Sequence, residues 1–283
     1  MNSSIMQIPI PRLCVVTAAD IEFKAVASQL RERENTLAPG LKQCRGRVGR
    51  NFVTVLQSEI GAQGFHEKLT AHLSETQYDA LFIIGLAGAL SPNLKTGEVV
   101  FYDTCFLFRP EFGTPPPSDP SSPPDQASVC DFQVSSSLRQ RLMAEGLKCI
   151  FGAGLTLDFM VTTPAEKLAM GESYGAAAVD MESHDVIAVG TQFGLPVIVL
   201  RVILDEAMQK TPDFNLAFDA AGRMNNLKAL LSMLMRPIAA IQFFLGLPQA
   251  MKVLRRAASL VLLAEPTVLR PTTAMALTRK AWS

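Results

Sequence analysis

The chain has 283 residues, which is enough for one large domain or for one domain with an extension. Hydrophobic residues make up 48% of it, so a sizeable core can form, and 26 basic residues balance 26 acidic ones. Because the chain has no net charge and no interleaving of aromatic and basic residues, we do not expect it to bind nucleic acid.

The five cysteines are odd in number and form no close pair in the sequence. This spacing favours a reducing, cytoplasmic location over a disulfide framework or a zinc site. The three histidines are too few and too scattered for a metal cluster, so we expect no metal or other cofactor. Residues 1–13 lack an apolar core after a basic start, and no run of 18 uninterrupted apolar residues occurs. We therefore expect neither a signal peptide nor a membrane-spanning helix.

The first predicted strand is the apolar run at residues 13–18, and a helix is predicted from Phe23 to Leu30. Glu22 lies just past the strand, in the first turn of that helix. An acidic residue there complements the helix dipole, so a structural role is open beside a role in a site. Three arginines, Arg45, Arg47 and Arg50, are expected in a solvated hairpin, with contact to phosphate as the alternative. A strand over 52–57 and a helix over 65–73 follow.

A glycine-rich segment follows the buried strand predicted at residues 81–84. Residues 85–90 are interpreted as a turn, in which glycines let the backbone approach a ligand closely. The spacing matches neither a P-loop nor a dinucleotide-binding motif. The candidate residues for a phosphate or water site in this turn are Gly85, Leu86, Ala87 and Gly88.

Proline and serine dominate residues 109–128, which we interpret as a mobile surface loop inside the domain because sheet-like segments resume beyond it. A strand is predicted over 97–102, a helix over 135–145, a strand over 149–159, and a helix beginning at Thr163.

The segment at residues 175–207 contains two candidate site carboxylates. A helix from about Ser183 to Phe193 follows Glu182, and a buried strand over 196–203 runs towards Asp205. Open α/β sheets bind ligands at the carboxyl ends of their strands, where both residues are expected. The alternative is that Glu182 caps its helix and that Asp205 is a solvated loop residue.

The alternation of strands and helices predicts an α/β fold with a mainly parallel, mixed central sheet flanked by helices. We expect this domain to span residues 1–232 and a C-terminal amphipathic helical extension to span residues 233–283. Two interpretations of the extension remain open. It can pack on the core or in a homo-oligomer interface, or it can make peripheral contact with a membrane through apolar and basic residues.

Several motifs together resemble the nucleoside phosphorylase superfamily, which includes purine nucleoside phosphorylases and methylthioadenosine/adenosylhomocysteine nucleosidases. They are VVTAADIE at 15–22, IGLAGALSPNLKTGEVV at 84–100, VDMES at 179–183 and RVILDEA at 201–207. Residues 161–184 and the apolar tail are most similar to the hopanoid-associated phosphorylases, whose proposed role is to remove adenine from adenosylhopane.

The resemblance implies a role for each candidate residue. Asp205 matches the acid that protonates N7 of the departing purine, and Glu22 matches the general base that activates water. Glu182 matches the carboxylate that binds the ribose hydroxyls, and Met181 matches the side chain packed against the sugar. Residues Phe159 and Met160 match the segment that packs on the base.

Two positions depart from the nucleosidase pattern. Leu86 replaces a common Ser or Thr, and Leu204 replaces the Ser that usually precedes the acid. No clear set of arginines matches a phosphate site, so the sequence favours hydrolysis, with phosphate open as a co-substrate. The function implied is release of adenine from an adenosine-type, lipid-linked nucleoside such as adenosylhopane. The alternatives are a soluble methylthioadenosine/adenosylhomocysteine-type nucleosidase and a non-catalytic nucleoside-binding protein.

Overall fold

The computed structural model describes residues 10–38, 41–58, 64–109, 126–217 and 233–269. Ten strands are described: β1 Arg12–Thr17, β2 Arg31–Ala38, β3 Leu41–Val48, β4 Asn51–Gln57, β5 Ala80–Ala89, β6 Val99–Phe108, β7 Gln126–Val129, β8 Cys149–Leu157, β9 Ala176–Asp180 and β10 Val197–Asp205. The helices are α1 Asp20–Ala27, α2 Phe65–Glu75, α3 Phe132–Ala144, α4 Pro164–Tyr174, α5 Ser183–Gln192, α6 Pro237–Leu262 and α7 Pro266–Leu269, with a 3₁₀ turn at Asn215–Ala217.

One mixed sheet organises the chain, in the order β10-β6-β8-β9-β5-β1-β4-β3-β2, with β7 paired to β6. β10 also pairs with β5, so β5, β9, β8, β6 and β10 close into a ring, and β1, β4, β3 and β2 extend from it. Helices cover the sheet. The predicted α/β class with a mixed, helix-flanked central sheet is confirmed.

Parallel pairing places the candidate carboxylates at one end of the sheet. β5 lies between β1 and β10 and is parallel to both, with Val15 opposite Phe82 and Val199 opposite Ile83. The three strands therefore end on the same side, so the segments that follow β1 and β10 come together beside the end of β5. β10 is buried along its whole length, which agrees with its continuous run of apolar, mostly β-branched residues.

The interpretation of residues 85–90 as a turn was wrong. Residues Gly85 to Ala89 continue β5, because each of them pairs with a neighbouring strand. β10 pairs in parallel with this part of β5 up to Gly88, which lies opposite Asp205. β9 pairs antiparallel with Gly88 and Ala89. The glycines do bring backbone close to the site, but they do so as a strand.

Two further strands were not predicted. β2 has the sequence RERENTLA, and its charged side chains are exposed because it is the edge strand beside β3. β7 takes up the last part of the predicted loop 109–128, where residues 126–129 pair with β6. The rest of that loop, from residue 110 to 125, lies outside the described residues.

The predicted hairpin near the arginine cluster is confirmed as the β3–β4 pair.

Hydrophobic clusters fill both faces of the sheet. On one face, α1, α3 and the C-terminal half of α6 pack over β1, β5 and β10. On the other face, α2 and α5 pack over the opposite sides of the same strands. All five cysteines are buried, and none forms a disulfide.

Helix α6 differs in character between its two halves. In the C-terminal half Met251, Leu254 and Val261 are buried in the core, and Asn51 Nδ2 donates to the carbonyls of Leu262 and Ala264 at the helix end. In the N-terminal half Ile238 is 73% exposed. By length and composition alone this helix is apolar enough to cross a membrane, with a mean hydropathy of 1.3 over its most apolar window. The burial of its C-terminal half is that of a core helix. The division of the chain at residue 232 stays a prediction.

Candidate active site

A pocket of about 340 Å³ opens at the carboxyl ends of β1, β5 and β10, under the N-terminal half of α6. Its wall is mainly apolar, and three of the acidic side chains that line it are those singled out in the sequence. Of the predicted site residues, only Gly85 does not line the pocket. The residues that do are Glu22, Leu86, Ala87, Gly88, Phe159, Met160, Met181, Glu182 and Asp205. The structure thus brings together segments that lie up to 183 positions apart in the chain, from Glu22 to Asp205.

Glu22 is held rigidly by backbone donors. Its Oε2 accepts from the N–H groups of Ala18 and Ala19 at 2.9 and 3.0 Å, and its Oε1 accepts from Leu86 N at 2.7 Å. The residue is 4% exposed. Glu22 therefore has both a structural role and a place in the pocket. Its carboxylate accepts from the backbone just before α1 and ties this helix to β5.

Glycine is required in β5 because side chains from other elements lie against its backbone. A Cβ on Gly85 would lie 2.5 Å from Arg201 Nη1 and 2.9 Å from Glu22 Oε1. A Cβ on Gly88 would lie 3.2 Å from Asp205 Oδ2. Gly85 thus lies behind the pocket wall, where it leaves room for Arg201 and for Glu22, which lines the pocket.

Arg201 is a fully buried guanidinium on β10 that contacts the carboxylates of Asp180 and Glu182. Its Nε lies 3.1 Å from Asp180 Oδ2 and its Nη2 lies 3.4 Å from Glu182 Oε2, while Ser183 Oγ accepts from Nη2 at 2.9 Å. Burial alone would lower the pKa of Arg201, but the carboxylates of Asp180 and Glu182 raise it, so the side chain stays charged.

Asp180 is the partner that compensates most of this buried charge. Burial alone would raise its pKa, but Arg201 and hydrogen bonds from Ser183 and Thr156 bring it below the ordinary value. Its Oδ1 also accepts from the backbone N–H of Ser183 at 2.9 Å, which caps α5. Glu182 stands at the N-cap position without a capping hydrogen bond from its side chain. The alternative that Glu182 serves only to cap the helix is therefore wrong.

Asp205 is the last residue of β10 and is 8% exposed. The alternative of a solvated loop residue is wrong. Burial raises the pKa of Asp205 above its ordinary value, and the neighbouring Lys167 opposes this shift without cancelling it. Lys167 Nζ lies 2.5 Å from Asp205 Oδ2. A carboxyl group with a raised pKa in an apolar pocket is suited to act as a general acid near neutral pH.

The segment at Phe159 and Met160 forms a second side of the pocket. Its backbone is fixed by Asn215, whose Oδ1 accepts from Met160 N at 2.6 Å and whose Nδ2 donates to Met160 O at 3.1 Å. This segment places an aromatic and a thioether side chain in the pocket wall, and both offer apolar surface to a ligand.

The N-terminal half of α6 forms another side of the pocket. Phe243, Phe244 and Leu247 line the pocket, together with Met233 just before the helix and Ile21 from α1. Phe243 packs edge-on against Phe214 and Phe244, with ring centroids 6.0 and 5.6 Å apart. The helical extension therefore forms part of the pocket wall.

Sequence reasoning missed two buried cations that contact the pocket carboxylates, Arg201 and Lys167. Arg201 carries a signal that could have found it, since it is the one charged residue inside the apolar run PVIVLRVI and a buried charge needs partners. Lys167 gives no such signal. It lies on α4, a helix with several polar residues, and only tertiary packing reveals that its side chain is buried.

Comparison with known proteins agrees with this architecture. Residues 12–236 match the model of the phosphorylase superfamily. A 5′-methylthioadenosine/S-adenosylhomocysteine nucleosidase of Geobacillus thermodenitrificans is 24% identical over 216 residues, which cover 74% of this chain and 88% of the relative. The enzyme of the same name from Bacillus cereus strain AH187 is 24% identical over 218 residues, which cover 74% and 90%.

Solved structures share the fold. An S-adenosylhomocysteine nucleosidase from Streptococcus pyogenes, in complex with 5-methylthiotubericidin, superposes with a TM-score of 0.70 at 19% identity and covers 92% of this chain and 99% of its own. A futalosine hydrolase from Helicobacter pylori gives a TM-score of 0.68 at 16% identity, with coverages of 89% and 97%. The resemblance to the nucleoside phosphorylase superfamily is thereby confirmed, and the chain is an enzyme that belongs to the phosphorylase superfamily.

Proposed function

We propose that this enzyme hydrolyses the N-glycosidic bond of an adenosine-type nucleoside and releases adenine. The observation that supports this most strongly is the convergence of Glu22, Glu182 and Asp205 on one apolar-walled pocket. The curated relatives are named as nucleosidases for methylthioadenosine and adenosylhomocysteine, which supports the same reaction.

The chemistry uses the carboxylates in different ways. Cleavage of the C1′–N9 bond leaves positive charge on the sugar and negative charge on the purine. We assign Asp205 as the acid that donates a proton to N7 of the purine. Burial raises the pKa of Asp205, so it stays protonated at higher pH than an exposed carboxyl group. Glu182, fixed beside Arg201, is assigned to the ribose hydroxyls, where its charge also stabilises the developing oxocarbenium ion.

Glu22 is assigned to the water that attacks C1′. Three backbone donors fix its carboxylate, so its direction into the pocket is set before substrate binds. Among the described residues that line the pocket there is no lysine or arginine, and Arg201 is committed to Asp180 and Glu182. Carboxylates with no cation among the described lining residues favour water over phosphate as the nucleophile, because phosphate is itself an anion.

The wall formed by α6 is assigned to the 5′ side of the sugar. Its residues are apolar, so it suits an apolar 5′ substituent such as an alkylthio group. The names of the relatives favour the methylthioadenosine/adenosylhomocysteine-type alternative over adenosylhopane. A lipid-linked substrate, membrane contact and a homo-oligomer stay predictions from the sequence.

Adenine release, followed by chromatography in phosphate-free buffer, tests the proposal. Methylthioadenosine, adenosylhomocysteine and adenosylhopane are supplied separately to the folded enzyme. We expect adenine from methylthioadenosine. Adenine from adenosylhopane alone would instead support the lipid-pathway interpretation. Binding of methylthioadenosine without any free base would contradict the proposed reaction and favour the nucleoside-binding alternative.

A further inference from the structure

Lys167 lies behind Asp205 and outside the pocket. The lysine is on α4, is 0% exposed, and is absent from the residues that line the cavity. Its Nζ contacts Asp205 Oδ2 at 2.5 Å, Gln209 O at 2.9 Å and Glu206 O at 3.1 Å. Substrate in the pocket would therefore meet Asp205, and Asp205 in turn would meet Lys167.

The three partners of Lys167 indicate its charge state. All three are oxygen acceptors, and an ammonium group carries three N–H donors and no acceptor. The contacts thus match a protonated lysine whose hydrogen bonds are all used. Because Asp205 Oδ2 accepts from this ammonium, a proton on the carboxyl group belongs on Oδ1, which remains for the substrate.

We propose that Lys167 is a positioning residue that directs the acidic proton of Asp205 to Oδ1 and stabilises the carboxylate formed when that proton leaves. This inference rests on the proposed function of the pocket. In the step, the proton moves from Asp205 Oδ1 to N7 while the electron pair of the C1′–N9 bond moves to the purine. The oxygen of water bonds to C1′ while one of its protons passes to Glu22. Loss of that proton from Glu22 to solvent and uptake of a proton by Asp205 return both carboxyl groups to their starting states.

The remaining charged groups near Asp205 do not substitute for Lys167. Glu22 on α1 and Glu182 before α5 line the same pocket, and both are negative when ionised. Arg201 is bound to Asp180 and Glu182, and the neighbouring Glu206 carboxylate pairs with Lys95 at 2.9 Å. Lys167 is therefore the cation that lowers the pKa of Asp205 against the effect of burial.

The pH profile of adenine release separates this role from a merely structural one. In Lys167→Met the charge is gone and burial acts alone, so the pKa of Asp205 rises further. We expect the alkaline limb of kcat/KM to move up by about one pH unit or more, as removal of an adjacent opposite charge does. We expect kcat at the optimum to fall by about ten-fold or more, because a weaker, less well directed acid transfers its proton more slowly.

Two matched variants control the experiment. Lys167→Arg retains a cation, so its alkaline limb should stay close to that of the wild type. Lys95→Met removes the exposed lysine that pairs with Glu206, and should leave both the limb and kcat unchanged. If Lys167→Met does not fold, Lys167→Gln, which keeps a hydrogen-bond donor without the charge, is measured instead.

The two proposals fail in different ways. If the wild type releases no adenine, the function of the pocket is wrong. If the wild type is active and the neutral variants keep its alkaline limb while losing only thermal stability, Lys167 is structural and the inference is overturned.

Discussion

At the scale of single residues, three carboxylates were identified from the sequence because each follows a recognisable strand. Glu22 and Asp205 follow apolar runs, and Glu182 lies in a motif that resembles a known family. What the sequence does not contain is the set of partners behind them. Arg201 and Lys167 reach these carboxylates through contacts between elements that are distant in the chain. The sequence marks Arg201 as a charge in an apolar strand, but only packing shows which carboxylates the two residues contact.

The substitution Asp205→Asn tests the general acid. The amide would keep the size of the side chain but lose the transferable proton, so kcat should fall by about 10²- to 10⁴-fold with a small change in KM. The wild type needs the protonated form, so its activity is present below the raised pKa of Asp205 and is lost as the pH rises through it.

The variant should lack that alkaline limb, which steady-state assays of adenine release across pH will show. Glu206→Gln is the control, because it neutralises the adjacent carboxylate that pairs with Lys95 and leaves Asp205 intact. Full turnover by Asp205→Asn would contradict the assignment.

At the scale of elements, the strands rich in apolar residues were predicted and the others were not. β2 is charged because it is an exposed edge, and β7 lies at the end of a proline-rich segment, so neither has the apolar pattern of a buried strand. The extension of β5 through Gly85–Ala89 was misinterpreted because glycine usually indicates a turn. Here it gives space for Glu22, Arg201 and Asp205 beside the strand.

Helix α6 carries a prediction about substrate selection. Phe244 lines the pocket and is 45% exposed, whereas its neighbour Leu245 is 74% exposed and does not line it. In Phe244→Ala the loss of apolar contact should raise KM for methylthioadenosine by about five-fold, on the order of 1 kcal/mol of binding. KM for adenosine, which lacks the apolar 5′ group, should change less.

Leu245→Ala is the matched control and should leave both KM values unchanged. If the two variants behave alike, or if Phe244→Ala weakens adenosine and methylthioadenosine equally, α6 does not form the 5′ subsite.

At the scale of the whole molecule, the sequence predicts an α/β sheet with its site at the strand ends. The structure has the sheet, and a pocket at that end is lined by most of the predicted residues. The sequence does not predict the closure of β5, β9, β8, β6 and β10 into a ring, because closure depends on long-range pairing between β10 and β5. Nor could it decide where the C-terminal extension lies. Half of α6 proves to be core, and the other half proves to be pocket wall.

The central claim is that this pocket uses water and not phosphate to cleave an adenosine-type nucleoside. The most direct measurement follows adenine by chromatography and phosphorus by ³¹P NMR in one reaction containing methylthioadenosine and inorganic phosphate. We predict that adenine accumulates while inorganic phosphate remains the only phosphorus signal, and that the rate does not depend on phosphate. Formation of a sugar 1-phosphate in step with adenine would contradict the claim and make the enzyme a phosphorylase.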